Sequence, residues 1–497
     1  MGALQWQHGR DAIHGVRGGA FARGHLGLRW KGMGAPTFQV HNPATGEVLA
    51  TLPAHGRTET VAAVACAAQA LAAECPAAQR RAWLAEIAAT LVRERDELAR
   101  TITGEQGKPL AEARAEVDYA AGFFQFFASQ LAALAPRQLP GLIGGAAWTI
   151  EQRPAGVVAL ITPWNFPLAM LAKKLAAALA AGCTMVAKPS ELTPLSAIAL
   201  GRILERVGVP PGRFNLVHGP AGPIGQVFCE HPAVRVISFT GSTRTGQWLL
   251  AAAAPQVKRL ALELGGNAPF LVFADADLDG AAAALVANKF RCAGQTCVCA
   301  NRIYVAHVVA ERFTALVDKR VRELKVGNGS EPGVQLGPLI DRAGFDKVRQ
   351  HCADALARGA RLVSGRLPDP PVTAWGNFFP PVVLAGVTQD MAVVREETFG
   401  PVVPLAEFTT EAEVLAAANG TPYGLAAYVF TRDPALAERC ARGLQFGHVA
   451  LNSGTGPTPE APFGGMKMSG FGREGGVEGL LEYCEVQTVA RGTPDAG

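Results

Sequence analysis

The chain has 497 residues, of which 49% are hydrophobic, 18% charged and 7% aromatic, with a net charge of +4. That length exceeds one typical core, since single cores stop growing near ~250–300 residues, and the ordinary apolar fraction with low net charge excludes large-scale disorder. Ten cysteines without framework spacing exclude a disulfide scaffold, and 46 basic against 42 acidic residues without a dense basic cluster disfavour a nucleic acid partner. Glycine (56) and proline (34) are in excess, together about 18% against a typical ~12%. Such a chain is rich in turns or in places where backbone approaches a ligand closely.

Residues 1–35 carry five basic side chains against one acid, Asp11, but neither the serines nor the periodicity of a transit peptide, so they read as an N-terminal extension. The composition of Glu59–Ala73, Ala77–Gly104 and Leu110–Leu134 predicts helices. The uncharged runs Pro154–Ala172 and Pro370–Gln389 approach the ~20 residues of a membrane span, but internal prolines break both. The expectation is a soluble cytoplasmic protein with no membrane partner.

From residue 155 the pattern alternates. Ala155–Thr162 reads as a strand buried on both faces, Pro167–Ala181 as a helix stopped by Gly182, and Thr184–Lys188 as the next strand. Thr193 and Pro194 predict a cap and first turn for a helix running to Gly208. Phe214–His218, Val234–Thr240 and Arg259–Leu264 continue the strands, which implies a doubly wound parallel sheet. Residues 269–440 repeat the theme and suggest a second α/β domain.

Three positions carry candidate chemistry. Cys297 follows Gly294-Gln295-Thr296, a lead-in that breaks the helix and presents the thiol on an exposed turn, as a nucleophile requires. A buried structural cysteine is the competing reading, and it is the better one for Cys292 and Cys299. Zinc is disfavoured, because Cys297 and Cys299 are too closely spaced and no histidine is near, so no metal is expected. Glu263 ends an apolar strand before Gly265-Gly266, where it is either a loop cap or a general base at the ligand-binding edge of a sheet. Asn165, in Pro163-Trp164-Asn165-Phe166-Pro167, is either a turn residue or a donor to an oxyanion.

For a dinucleotide, Gly470-Phe471-Gly472-Arg473-Glu474-Gly475 matches the glycine fingerprint, but no apolar strand precedes it and no suitable helix follows, so the match reads as an accident. Phe239-Thr240-Gly241-Ser242-Thr243 is a better phosphate cradle. Lys188-Pro189-Ser190-Glu191 offers a cation and an acid for a ribose. An ordinary strand-to-helix turn is the alternative for both.

Taken in order, these segments, together with Leu262-Glu263-Leu264-Gly265-Gly266-Asn267, Glu396-Glu397-Thr398-Phe399-Gly400-Pro401 and Pro462-Phe463-Gly464-Gly465, resemble the aldehyde dehydrogenase superfamily over about residues 38–490. The stretch Phe290–Arg302 and the helix after Asn165 are most similar to succinate-semialdehyde dehydrogenases. The resemblance implies two doubly wound α/β domains, cofactor and catalytic, plus a small β bridging arm. Their expected bounds are 36–134 with 155–264 for cofactor binding, 265–446 for catalysis, and 135–154 with 473–497 for the arm of a homodimer or homotetramer.

It also implies a reaction. Cys297 attacks the aldehyde, Asn165 and a backbone amide hold the oxyanion, and Glu263 activates the water that hydrolyses the thioester. Cofactor contacts fall on Thr162, Pro163, Trp164, Lys188, Ser190, Glu191, Gly241, Ser242, Leu264, Glu397 and Phe399. Glu191 beside the ribose favours NAD over NADP, because a carboxylate repels a 2′-phosphate. Succinate-semialdehyde enzymes present two arginines to the far carboxylate. Arg291 matches one, Lys173 stands at the other, and the loop holding Thr458 departs from the subfamily pattern. The implied substrate is succinate semialdehyde or another anionic semialdehyde (glutarate, 2-oxoglutarate or sulfonated). The alternative class is a thiol hydrolase without cofactor. The resemblance further permits a redox disulfide between Cys297 and Cys299.

Overall fold

A computed structural model describes residues 36–492. The expectation for residues 1–35 lies outside the described residues.

Five parallel strands form most of the first sheet, in the spatial order Arg259–Glu263, Val234–Thr240, Val157–Ile161, Thr184–Lys188, Phe214–Leu216. The order reverses at Val157–Ile161, the first of the five in the chain, so a crevice opens past its carboxyl end. That end is where Pro163, Trp164 and Asn165 lie. Alternate residues serve opposite faces: Val158 and Leu160 pack with the helices between 77 and 131, and Val157 and Ala159 pack with the helices Arg57–Leu71, Ala221–Glu230 and Thr243–Ala253.

The second sheet has seven strands, in the order Arg361–Ser364, Val382–Ala385, Val402–Phe408, Ala300–Ala306, Ala268–Val272, Ala426–Phe430, His448–Leu451. Only the Arg361–Ser364 edge is antiparallel. The chain passes from the first sheet to the second through Leu264–Asn267, immediately after Glu263. A third sheet pairs Cys484–Gly492 with Ala146–Pro154, and the latter with Arg137–Gln138.

Helix Pro167–Ala181 and strand Thr184–Lys188 have the expected bounds, with Gly182 left-handed at φ 90°. Two helix readings need correction. The run 77–104 is two helices, Ala77–Arg93 and Arg95–Gln106, interrupted at Glu94. Thr193 does not cap the next helix, which starts at Leu195; the amides of Leu195 and Ser196 donate to the Glu105 carboxylate at 2.6 and 2.9 Å. A carboxylate from a distant helix thus satisfies the orphan donors that a local side chain was expected to take.

Candidate active site

One cavity of about 800 Å³ lies between the two sheets. The first sheet lines it with the turns after its strands: Pro163, Trp164 and Asn165, and Thr240, Gly241 and Ser242. The second lines it with the loops that enter its strands: Thr296, Cys297 and Val298 before Ala300, and Glu397, Thr398 and Phe399 before Val402. Leu264 and Gly265 sit between them, and Lys173, Arg291 and Thr458 complete the wall.

Cys297 lies on the expected turn, but half-buried rather than exposed. Its position depends on Gly266, where a Cβ would stand 2.3 Å from the Cys297 carbonyl oxygen. Upstream, Cys292 and Ala293 take left-handed backbone (φ 52° and 55°), an unfavourable state for residues with a Cβ. Burial pushes the Cys297 thiol up to about 12, against the pull of Lys173. Cys292 is buried and accepts a hydrogen bond from Gln106 Nε2 at 3.3 Å. The Cys299 thiol donates to the Gly294 carbonyl at 3.3 Å. All ten cysteines are unpaired.

Asn165 ties the sheets together. Its side-chain Nδ2 donates to the Gln295 carbonyl at 2.9 Å, which leaves its second N–H to serve the cavity. Its carbonyl accepts from Lys108 Nζ at 2.7 Å, and Lys108 is ion-paired to the fully buried Glu116 at 2.6 Å. Glu116 in turn accepts from the amides of Leu168 and Ala169, capping the helix that starts at Pro167.

Glu263 is 4% exposed and is not among the residues forming the wall. Neither carboxylate oxygen has a hydrogen-bond partner among the described residues. Burial, reinforced by the like charge of Glu474, raises its pKa well above the ordinary carboxylate range, while Lys173 and Lys174 oppose the shift.

Glu474 is the residue that sequence reasoning missed. It lies in the glycine string set aside as accidental. That string is not a dinucleotide turn: Gly470–Phe471 is an antiparallel edge strand on Arg259–Glu263. It delivers Glu474 into the interior, ion-paired to both Lys173 and Lys174. The lysines hold Glu474 below the usual carboxylate range despite burial. Lys173 is therefore engaged by a carboxylate of its own chain. Arg291 is less satisfied: its guanidinium lies 5.4 Å over the Phe166 ring, and its Nε has no hydrogen-bond partner among the described residues. Glu112, also missed, lines the cavity and accepts the Cys292 amide at 2.8 Å.

The dinucleotide candidates form a second group. The hydroxyls of Thr162 and Thr240 are buried without a partner among the described residues. Ser242 caps the helix Thr243–Ala253 by accepting from the Thr245 amide. A Cβ on Gly265 would meet Glu397 Oε2 at 3.0 Å and Thr243 Oγ1 at 3.3 Å, so the glycine keeps this channel open. Glu397 accepts the Gly266 amide at 3.1 Å, and burial raises its carboxyl to about 7. Trp164 and Phe399 meet edge to face at 5.6 Å. Lys188, Ser190 and Glu191 lie at the end of the neighbouring strand, outside the cavity wall, with Lys188 Nζ 2.6 Å from Glu191 Oε2. Orphaned hydroxyls, a helix N-terminus on the cavity and a cation–acid pair at a switch point suit a dinucleotide. Among the described residues no His, Cys, Asp or Glu cluster could hold a metal ion, and no helix is long and apolar enough to cross a membrane.

Residues 30–489 match the model of the aldehyde dehydrogenase family. The chain belongs to that family. Among its relatives, a succinate-semialdehyde dehydrogenase [NADP(+)] of Escherichia coli is 46% identical, with 91% of this chain and 94% of that one covered. A glutarate-semialdehyde dehydrogenase of Pseudomonas aeruginosa is 45% identical, covering 92% and 94%. A solved structure of an oxidoreductase from Marinobacter aquaeolei superposes with a TM-score of 0.92 at 53% identity, covering 95% of this chain and 98% of that one. These likenesses identify the two-sheet arrangement as the aldehyde dehydrogenase fold.

Proposed function

We propose that this chain oxidises an aldehyde with an anionic tail, succinate semialdehyde or a near homologue such as glutarate semialdehyde, to the carboxylic acid. The observation that carries this reading is one cavity lined by Cys297, Asn165 and an under-satisfied cation, Arg291. A half-buried guanidinium without its full set of partners favours a ligand that brings a carboxylate. The semialdehyde names of the relatives agree with that charge.

Cys297 is the nucleophile: its sulfur bonds to the aldehyde carbon as the carbonyl π pair moves onto the oxygen, and the thiol proton passes to water in the cavity. The developing oxyanion takes the free N–H of Asn165, a contact whose position is fixed by the bond to Gln295. A nicotinamide dinucleotide supplies the hydride acceptor when bound. Thr162, Pro163, Trp164, Gly241, Ser242 and Leu264 would hold it along the first sheet, Lys188, Ser190 and Glu191 at the ribose, and Glu397 and Phe399 beside the thiol. Glu263 then takes a proton from the water that attacks the thioester. Arg291 and Thr458 meet the tail. The Lys188–Glu191 pair favours NAD.

The same reading makes the chain a cytoplasmic homo-oligomer. Strand Cys484–Gly492 is an open, mostly exposed edge nine residues long, which invites pairing with a second copy, and ten free thiols suit a reducing compartment.

The test is NADH formation from a panel of semialdehydes and neutral aldehydes, with Cys297→Ala as control. Anionic semialdehydes should lead the panel, and the control should lose more than ~1,000-fold in kcat. No NADH from any aldehyde, with ester hydrolysis intact, would point to a thiol hydrolase instead.

A further inference from the structure

A second cavity, of about 260 Å³, shares no lining residue with the active site. Arg80 enters its wall from the helix Ala77–Arg93. Arg80 Nη1 donates to the Ala180 carbonyl at the end of the helix Pro167–Ala181, while Arg80 Nε is buried without a partner among the described residues. Gly182 makes room for this guanidinium: a Cβ there would stand 3.0 Å from Arg80 Nη1 and 3.2 Å from the Pro154 ring.

A second guanidinium stands at the edge of the same cavity. Arg213 precedes the strand Phe214–Leu216, and its backbone is fixed there: its carbonyl accepts the Met185 amide at 2.8 Å. Arg213 Nη2 donates at 2.7 Å to the carbonyl of Ala73, a wall residue. Arg213 is 2% exposed, and its Nη1 has no partner among the described residues.

No carboxylate among the described residues pairs with either guanidinium. The one acidic group in the wall is the Cys75 thiol. Burial raises it against the pull of Arg213 and Arg80, so it brings no counter-charge at neutral pH. Two buried cations with unmet N–H groups are unfavourable until an anion completes them.

We propose that this cavity binds one small tetrahedral oxyanion, phosphate or sulfate, between Arg80 and Arg213. Size limits the ligand, since sites for larger small molecules occupy ~300–1,000 Å³; a dinucleotide does not fit. Charge selects within that limit. Two guanidiniums balance a dianion, whereas a monocarboxylate neutralises only one of them. Their planar forks suit the paired oxygen edges of a phosphate or sulfate, and Gln152 in the wall adds an amide donor. The proposal is independent of the aldehyde oxidised.

The test is calorimetric titration of the full chain with sodium phosphate and sodium sulfate, at ionic strength held constant with chloride, in wild type and Arg213→Gln. Wild type should show saturable binding with a Kd of about 1 mM or below, as two charge-assisted contacts would give. Arg213→Gln should weaken it about tenfold or more. Acetate should bind wild type at least ~10-fold more weakly than sulfate, because it leaves one guanidinium unmet. Isotherms without saturation, or unchanged in Arg213→Gln, overturn the proposal, since an anion held at the Ser242 helix start is indifferent to Arg213. Acetate binding as tight as sulfate overturns the assignment to a dianion. Should Arg213→Gln fail to fold, wild type still decides through Cys75. Saturating sulfate, unlike chloride at equal ionic strength, should slow severalfold the alkylation of Cys75 by N-ethylmaleimide, located by mass spectrometry. An unchanged rate overturns the site.

Discussion

The turns leaving the first sheet and the loops entering the second meet at one cavity but are built differently. On the first-sheet side, Thr162 and Thr240 keep buried hydroxyls without partners, and the Glu191 side chain is 46% exposed. On the second-sheet side, a Cβ at Gly294 would stand 2.2 Å from the Gly400 carbonyl, Gly266 crowds the Cys297 carbonyl, and Cys292, Ala293 and Phe399 hold positive φ. The first side leaves two buried hydroxyls unpartnered beside a half-exposed acid; the second, where Thr296 Oγ1 is also unpartnered, packs backbone against backbone. Binding tolerates the adjustment of open donors, whereas bond formation requires the thiol to be held close to its reacting position, where a misplacement of ~1 Å can cost ~100-fold.

The severest way to break that contrast is to disturb the tight side alone. Gly266→Ala forces the Cys297 turn or the Leu264–Asn267 link to move, because the new methyl cannot sit 2.3 Å from a carbonyl oxygen. The expected result is a fall in kcat of at least ~100-fold, with NADH binding, followed by its fluorescence, retained. A variant of near-normal kcat would show that the second-sheet loops have slack after all.

Asn165 belongs to both sides, since its backbone leaves the first sheet and its side chain is fixed by Gln295 in the second. Asn165→Ala removes the proposed oxyanion donor and the clamp together. It should lower kcat ~100- to 1,000-fold with little change in KM, the pattern of a contact made in the transition state. A larger change in KM than in kcat would place Asn165 with the open side, as a binding residue.

The contrast also explains what could be read from the chain alone. Cys297, Glu263 and Asn165 stand at strand ends beside glycines and prolines, where local spacing carries the signal, and Pro167–Ala181 and Thr184–Lys188 follow from local periodicity. Glu474 could not be read this way. It meets Lys174 across 300 residues of sequence, and its local pattern imitates a motif of another kind. The Glu105 cap on Leu195 and Ser196 was hidden for the same reason: it replaces a plausible local cap with a side chain 90 residues away. Charges buried in pairs leave no periodic trace, because each is specified by a partner that folding alone brings near.

The gentlest perturbation is on the open side. Glu191 is paired with Lys188, whose own side chain is 5% exposed, and on the proposed reading the pair presents a carboxylate edge to an incoming ribose. Glu191→Ser removes the acid and leaves Lys188 free to meet a 2′-phosphate. The ratio of kcat/KM for NADP over NAD should rise about tenfold, equivalent to ~1.4 kcal/mol, with kcat under saturating NAD nearly unchanged. The effect is modest because Glu191 is half in solvent, where screening weakens its field. An unchanged ratio would mean that the ribose end does not reach this pair, and that discrimination between the two dinucleotides is built into the cavity wall itself.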